Sequence, residues 1–456
     1  MEKFDLIVIG SGSGLDVAVA AAEYGLKVAI IEKGPLGGTC LNRGCIPSKM
    51  LIHSADVMEC IQRAQLFGVE VNEYKINFKS IVDRVLKEVD FDSQRIESSL
   101  ERIKNPLLFK EECKFIAYKT LKVGEKIIWA NKILIASGSR PKIPNIDGLK
   151  ESGFITSDEA LRLKVQPKAL TIIGGGYIAV ELAHFFGALG TKINIVQKHS
   201  TLIPNEDEEL SKRFSEIFSM KYNVHLDSFP INVSKKDGEF KVTIKNMKEN
   251  QIKVLYSDQL LVAAGRIPNS DMLDVGKTGV KVNDAGNVLT DEFLETSVKG
   301  IFALGDVVGR YPFKHNANLE AGYALHNIIN YKNKKAVDYN AIPHAIFSSP
   351  QIASVGYTEQ QLKAKNIHYL VGRASYTDTA MGLAIEDRNG FVKLLIDGHS
   401  NTILGCHILG TNASILIHEI LVAMRTGSAS INSIRQTVHI HPSLSEVVQK
   451  AALHIH

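Results

Sequence analysis

Two stretches of this chain repeat one pattern of apolar and polar positions. The first runs from an apolar strand, Asp5–Ile9, through GSGSGLDVAVAAAEYG to a second apolar strand, Lys27–Ile31, that ends at Glu32. Short continuous apolar runs bounded by glycine predict strands buried on both faces, and the alanine-rich stretch between them predicts a crossover helix. The second begins at Ala169, ALTIIGGGYIAVELAHFFGALGTKINIVQ, with the same order of strand, glycines, helix and strand. Each is a βαβ unit. Such junctions bring backbone N–H groups up to a pyrophosphate at a helix N-terminus. Gly10 and Gly12, and again Gly174, Gly176 and Ala179, therefore mark two dinucleotide sites. Glu32, 22 residues after Gly10, is placed to accept from a ribose hydroxyl. In the second unit Gln197 stands 23 residues after Gly174, followed by Lys198 and His199. The first unit has Leu15 where a third glycine is usual, which predicts looser packing of helix on strand unless Gly14 relieves it.

Elsewhere the period changes. From Phe78 to Ile103, Ile81, Val82, Val85, Leu86 and Val89 recur at helical spacing and predict a core-facing helix. In KILIASGSRPKIPNIDG, Lys132 to Gly148, a strand ends at Ala136 and turns at Ser137, Gly138 and Ser139. The prolines after it suit a crossing between domains. Leu260 to Asn269, LLVAAGRIPN, predicts one strand closing the second unit, with Gly265 in it, and Gly300–Gly309 predicts a buried strand ending at Asp306. From about Tyr339 come strands at Phe391–Ile396 and Ile403–Leu409, a helix at Ala413–Met424 and the tail HIHPSLSEVVQKA. The fold expected is α/β: two Rossmann-like dinucleotide-binding domains plus an α+β C-terminal domain. Residues 1–148 and 270–338 would form the first domain, 149–269 the second and 339–456 the last.

With 456 residues, 45% hydrophobic and 22% charged, the chain is an ordinary globular protein of enzyme size. The net charge of +4 includes no long basic run and gives no case for nucleic acid. No stretch of about 18 apolar residues suggests a membrane span. The opening MEKFDLIVIG enters a strand within four residues, so no presequence and a cytoplasmic location are expected. In that compartment a close pair of cysteines is more often catalytic than structural.

Such a pair exists. Among five cysteines, Cys40 and Cys45 lie within GGTCLNRGCIPSK, Gly37 to Lys49. Pro47 suits the first turn of a helix starting near Cys45. Were both cysteines helical, five steps would separate their Cα atoms by roughly 7.5 Å, beyond the usual disulfide reach of about 4.4 to 6.8 Å. Cys40 is therefore expected in an irregular approach, with freedom supplied by Gly37, Gly38 and Gly44. A helix N-terminus favours the Cys45 thiolate. A structural disulfide and a zinc site are the other readings, but zinc needs two more close ligands, and His53 and Cys60 do not give paired spacing. In the tail, His441 before Pro442 is expected to be extended. Glu446 would fall on the helix that Pro442 can start, where a carboxylate orients the imidazole and raises its pKa.

GGTCLNRGCIPSK resembles the redox-active segment of the flavin-dependent pyridine nucleotide-disulfide oxidoreductases. ASGSRP resembles their return to the nucleotide domain, GIFALGDVVG their second flavin motif and the last part their interface domain, so the resemblance spans essentially the whole chain. It implies FAD in the first unit, at Gly10, Gly12, Gly14, Glu32, Gly38, Thr39, Ser137, Gly138 and, on the ribityl chain, Asp306. It implies a nicotinamide nucleotide in the second, at Gly174, Gly176, Gln197, Lys198 and Gly265. Lys49 and Glu181 match an ion pair beside the flavin ring. Cys45 matches the sulfur that faces the flavin and Cys40 the interchange thiol. His441 and Glu446 match a catalytic pair donated across a homodimer interface to the other subunit's cysteines. No metal is implied.

The resemblance also bears on substrate. The tail AALHIH lacks the cysteines of a mercuric reductase, and Val19 and Ala20 replace the arginine pair of glutathione reductase. HPSLSE resembles dihydrolipoamide dehydrogenase, whereas KHNANLEAG, Lys314 to Gly322, and the replaced third glycine resemble mycothione reductase. The expected activity is that of dihydrolipoamide dehydrogenase, with lipoyl groups of a 2-oxoacid dehydrogenase complex as partners. The alternative is an NADPH-dependent reductase of a low-molecular-weight disulfide. With Gln197 in place of an acid, nothing repels a 2′-phosphate, and Lys198 would attract one by on the order of 1 kcal/mol. NADPH is the nucleotide expected.

Overall fold

The computed structural model describes residues 1–455. A seven-stranded sheet carries the first nucleotide unit: strands Leu107–Phe109, Val28–Ile31, Glu2–Ile9 and Lys126–Ile135 run parallel in that order. Leu6 to Ile9 are all buried, because helices Gly14–Glu23 and Lys314–Ile329 cover the Leu6 and Val8 face while Phe115, Leu121, Val275 and Val288 pack on the Ile7 and Ile9 face. Lys126–Ile135 is long enough to do two jobs. Its first half pairs antiparallel with Thr120–Val123, and its second half pairs parallel with Ile301–Ala303. That second pairing returns the chain to the first unit and delivers Asp306 next to it.

Between these visits lies the second unit, a four-stranded parallel sheet ordered Asn223–His225, Lys192–Val196, Ala169–Ile173, Gln259–Val262, with a three-stranded antiparallel sheet beside it. Leu260–Asn269 is two strands and not one. Gln259–Val262 ends at the edge of the parallel sheet, whereas Arg266–Pro268 pairs antiparallel with Ser139–Pro141. Gly265, at φ +109, makes the turn between them. This two-stranded ribbon is where the chain crosses between the units. The last part is a five-stranded antiparallel sheet, ordered Pro343–Ile346, Ile352–Gly356, Ile403–Leu409, Phe391–Asp397, Tyr369–Ser375, packed against helices Ala413–Arg425 and Ser445–Leu453.

One apolar core reaches through all three parts. Leu51, Ile52, Ala55 and Met58 of helix Cys45–Arg63 pack with Ala179, Val180, Leu182, Ala183 and Phe186 of helix Tyr177–Ala188, and Ile346, Ile352 and Leu409 join them. Phe78, Phe185 and Phe186 cluster within it at centroid distances of 4.8 to 6.0 Å, Phe78 stacked on Phe186 and Phe185 edge-on to Phe186. Truncating one such ring to alanine costs about 3–5 kcal/mol. This packing fixes the helix after the cysteines against the helix of the second unit, which no local pattern dictates.

Candidate active site

Gly37 and Gly38, both at positive φ, turn the chain into a short helix, Gly38–Arg43, that carries Cys40. Gly44 interrupts it, and helix Cys45–Arg63 follows. The expectation of an irregular approach is therefore corrected. The buried Asn42 amide donates to Leu36 O at 2.8 Å and Gly38 O at 3.0 Å, curling the approach into a turn. At Gly44 a Cβ would meet Thr39 O at 2.8 Å, which leaves room for glycine and a change of direction. The two cysteines thus sit on separate helices, and the axial separation of a single helix does not apply. Both are free thiols, and their titrations are linked. Hydrogen bonding to Cys40, helped by the Lys49 charge, lowers Cys45 to about 6 against burial. Cys40, half-buried beside the Cys45 sulfur, is pushed far up by hydrogen bonding to Cys45 and by desolvation, and the Lys314 charge opposes the rise.

Lys49 lies one turn below Cys45. Its Nζ donates to Glu181 Oε2 at 2.8 Å and Oε1 at 3.0 Å, joining positions 132 apart. Glu181 is buried and also accepts from Phe347 N at 2.9 Å, and the Lys49 ammonium stands 4.8 Å from the Phe347 ring. Both donors converge on the one buried carboxylate, and it fixes the ammonium in place in turn.

On the other side of Gly10 lies a cavity of about 240 Å³ lined by Gly10, Glu32, Ser137, Cys113 and Leu273 among others. Glu32 Oε2 accepts from Ser11 N at 3.0 Å and Ser11 Oγ at 2.8 Å. Among the described residues Ser137 Oγ is buried with no partner, and Gly12 and Gly138 have open space where a side chain would stand. An orphaned hydroxyl, a carboxylate and bare backbone fit the adenosine and pyrophosphate of FAD. Gly14 differs from these. A Cβ there would meet Val8 Cγ1 and Ala136 Cβ at 2.9 Å, so Gly14 seats the helix on the sheet rather than facing the cavity. The close approach of helix and strand is made at Gly14, the exception the sequence left open for Leu15. Asp306 Oδ2 accepts from Ser139 Oγ at 2.6 Å, and Arg266 Nε donates to the same hydroxyl at 2.7 Å. Gly38 lies against Gly12, and Thr39 beside it is exposed.

In the second unit Gly174 takes φ +118 and Gly176 is open. Gln197 follows the strand end Val196 and is buried, with Nε2 donating to Thr201 O at 3.1 Å, whereas Lys198 is exposed. Tyr177, which the linear pattern did not single out, starts the helix between the two sites, within the fields of Arg266, Asp306, Glu181 and Cys45. Its signal was the tyrosine directly after the GGG run. Arg266, Asn42 and Phe347 carried no signal, because each acts through a partner distant in sequence or through backbone.

In the tail, His441 Nδ1 bonds Glu446 Oε1 at 2.9 Å, and Glu446 Oε2 accepts from Ser443 N at 2.9 Å. The helix starts at Ser445 rather than at Pro442, which leaves Glu446 in its first turn. The His441 side chain is 74% exposed, flanked by Val438 and Ile440 at 93% and 79%. His439 is buried on Glu419 Oε1 at 2.6 Å.

Residues 4–321 match the family model described as pyridine nucleotide-disulphide oxidoreductase, and residues 342–452 match its dimerisation domain. The chain belongs to this family. It is 35% identical over 467 aligned residues to mycothione reductase of Mycobacterium tuberculosis, covering 99% of each chain. It is 34% identical to the mitochondrial dihydrolipoyl dehydrogenase 1 of Arabidopsis thaliana, covering 99% of this chain and 90% of that one. In structure it is similar to the HOCl-induced flavoprotein disulfide reductase RclA of Escherichia coli, solved as a Cu(II) complex, with a TM-score of 0.88, 26% identity and 99% of each chain covered.

As a pyridine nucleotide-disulfide oxidoreductase the chain is an FAD and NAD(P)H enzyme. His441 and Glu446 fall inside the dimerisation domain. The exposed apolar residues around His441 suit burial against a second copy.

Proposed function

We propose that this chain exchanges electrons between a nicotinamide nucleotide and a small neutral dithiol or disulfide, with dihydrolipoyl groups as the substrate. The observation that carries this reading is the Cys40–Cys45 pair with the Lys49–Glu181 ion pair one turn away. The half-buried Val19 and Ala20, where a charged substrate would call for cations, support a neutral one. A second reading, NADPH-driven reduction of a low-molecular-weight disulfide in the manner of mycothione reductase, is favoured by Gln197 at the acid position and by Lys314.

Bound FAD supplies a carrier that accepts hydride at one face and gives up an electron pair at the other. Gly10, Gly12, Glu32, Ser137 and Asp306 would hold it. Two electrons and one proton open the Cys40–Cys45 disulfide to a thiol and a thiolate. The charge rests on Cys45, which has a hydrogen bond and Lys49 to stabilise it, and the proton on Cys40. To attack a substrate sulfur, Cys40 must then lose its proton. His441 of a second copy is the base: its Nδ1 is committed to Glu446, which fixes the ring and leaves Nε2 free to take the proton. The mixed disulfide is resolved by Cys45, whose thiolate attacks Cys40 Sγ and releases the second product thiol.

Steady-state rates with lipoamide, glutathione disulfide and a mycothiol disulfide analogue, each with NADH and NADPH, test the reading. Lipoamide with the highest kcat/KM supports it, and a tenfold preference for the mycothiol analogue turns it to the second reading. Mixing inactive Cys45→Ser and His441→Ala chains under subunit exchange tests the shared site. Each heterodimer carries one intact site, so activity should return to at most about half of wild type per dimer. No recovery would place the base elsewhere.

A further inference from the structure

The mechanism gives Cys45 a lysine and leaves Cys40 without one. Helix Lys314–Ile329 supplies it. Lys314 Nζ donates to Ser13 Oγ at 3.0 Å and to Asn318 Oδ1 at 2.5 Å, and Ser13 Oγ donates to Asn318 Oδ1 at 2.9 Å. This triangle pins an ammonium to the loop Ser11–Ser13. Helix Gly38–Arg43 lies on the same loop, since a Cβ on Gly38 would meet Gly12 Cα at 2.7 Å and Gly12 N at 3.0 Å. Cys40 is two residues further along, so Cys40 and Lys314 approach one loop from separate elements.

Lys314 is half-buried, both its partners are neutral, and among the described residues no carboxylate pairs with it. Its charge is therefore not spent on an ion pair, as the charge of Lys49 is on Glu181. Two charged groups act on Cys40 through their fields: the Cys45 sulfur, which disfavours ionisation, and the Lys314 ammonium, which favours it. Lys49 and Glu181 act on Cys45 instead.

We propose that Lys314 is a positioning residue for the interchange reaction: held by Ser13 and Asn318 beside helix Gly38–Arg43, it allows Cys40 to ionise for attack on the disulfide. The inference rests on the reading of Cys40 as the interchange thiol. Cys40 gives its proton to His441 of a second copy, and its thiolate forms a bond to one substrate sulfur as the substrate S–S bond breaks. The departing sulfur carries away the electron pair of that bond and takes the proton back. The two lysines divide the work. Lys49 stabilises the sulfur that rests as thiolate, and Lys314 the sulfur that becomes one only to react.

The test is the pH dependence of iodoacetamide modification at Cys40 in the FAD-loaded dimer. A Cys45→Ser background removes the second sulfur, and the Cys40 peptide is read by mass because Cys60 is also exposed. Adding Lys314→Met should raise the midpoint by about one pH unit, the low end for a charge at close range. Lys314→Gln, which can still donate to Ser13, should raise it as much, and Lys314→Arg should leave it within about 0.3 of the parent, since the charge is kept. A midpoint unmoved in the Gln variant overturns the proposal, as does an equal rise in the Arg variant. Loss of FAD in the Met and Gln variants with an unmoved Cys40 midpoint would make Lys314 a flavin-binding residue only. Alkylation needs no disulfide substrate, so a wild-type chain that turns over none of the disulfides above would defeat the functional reading while leaving this measurement intact.

Discussion

The two nucleotide units share a frame and differ where charge is decided. In the first, Ile9 pairs with Ile31 and Glu32 follows; in the second, Ile173 pairs with Val196 and Gln197 follows. Gly10 and Gly174 take φ +104 and +118, and a Cβ on either would meet the carbonyl oxygen of Ala136 or Ala263 at 2.3 or 2.2 Å. On that common frame Glu32 accepts from Ser11, whereas Gln197 donates to Thr201 O. One site ends in a carboxylate, the other in a neutral amide with Lys198 beyond it. The helices seat differently as well: Gly14 makes the close contact in the first, and the fully buried Ala179 takes the corresponding role in the second. Positions that read the sheet are thus fixed by steric contact, and positions that read the ligand are free to differ.

The largest effect should come from filling the glycines on which the frame depends. Gly10→Val sets a β-branched residue at positive φ, a strain of about 1–3 kcal/mol, and adds a backbone clash. It should abolish flavin binding, read as flavin absorbance after gel filtration. Gly174→Val should keep the flavin and lose turnover with either nucleotide. Equal flavin loss in both would mean that the units do not fold independently. Next is the pair that ties the units together. Because Cys45 is lowered to about 6, its thiolate is present above that pH and is protonated as pH falls through it. Lys49→Met removes a cause of the lowering, so alkylation of Cys45 in the reduced enzyme should need higher pH. Below the midpoint, the thiolate fraction at a fixed pH should fall about tenfold for each pH unit by which the midpoint rises. An unchanged profile would assign the lowering to Cys40 alone. Smaller still, Gln197→Glu should make the second unit resemble the first and swing kcat/KM toward NADH by about tenfold, or 1.4 kcal/mol. A wild-type chain already tenfold better with NADH would refute the NADPH reading. Smallest is the third fingerprint position. Leu15→Ala should change stability by about 0.5 kcal/mol, and Gly14→Ala should cost about 1 kcal/mol or more, by denaturant unfolding. The reverse order would show that Leu15 makes the helix contact after all.

Much of this was legible in the linear pattern. Both units, their glycines and the residues after their second strands follow from period and spacing, because a βαβ unit is built from neighbours in sequence. The Cys40–Cys45 stretch was legible as chemistry and misread as geometry. The helix at Cys40 depends on the Asn42 amide reaching Leu36 and Gly38, and spacing cannot show a side chain capping its own approach. The strand at Leu260–Asn269 divided because Arg266–Pro268 finds a partner at Ser139–Pro141, about 130 residues earlier, and strand pairing is not encoded in either segment alone.

By itself, then, the sequence determined the local units and the inventory of reactive groups: two nucleotide folds, two cysteines near a helix start, a histidine with a carboxylate five residues on. Tertiary structure decided which groups act on which. Lys49 meets Glu181 because Leu51, Ile52 and Met58 pack against Val180, Leu182 and Phe186, and Lys314 reaches the Ser11–Ser13 loop on which the Cys40 helix rests because Ile301–Ala303 returns to Lys126–Ile135. The physical reason is range. Helical and strand periodicity arise from contacts a few residues apart, whereas the field at a thiol sums over every charge within several ångströms, however distant in sequence.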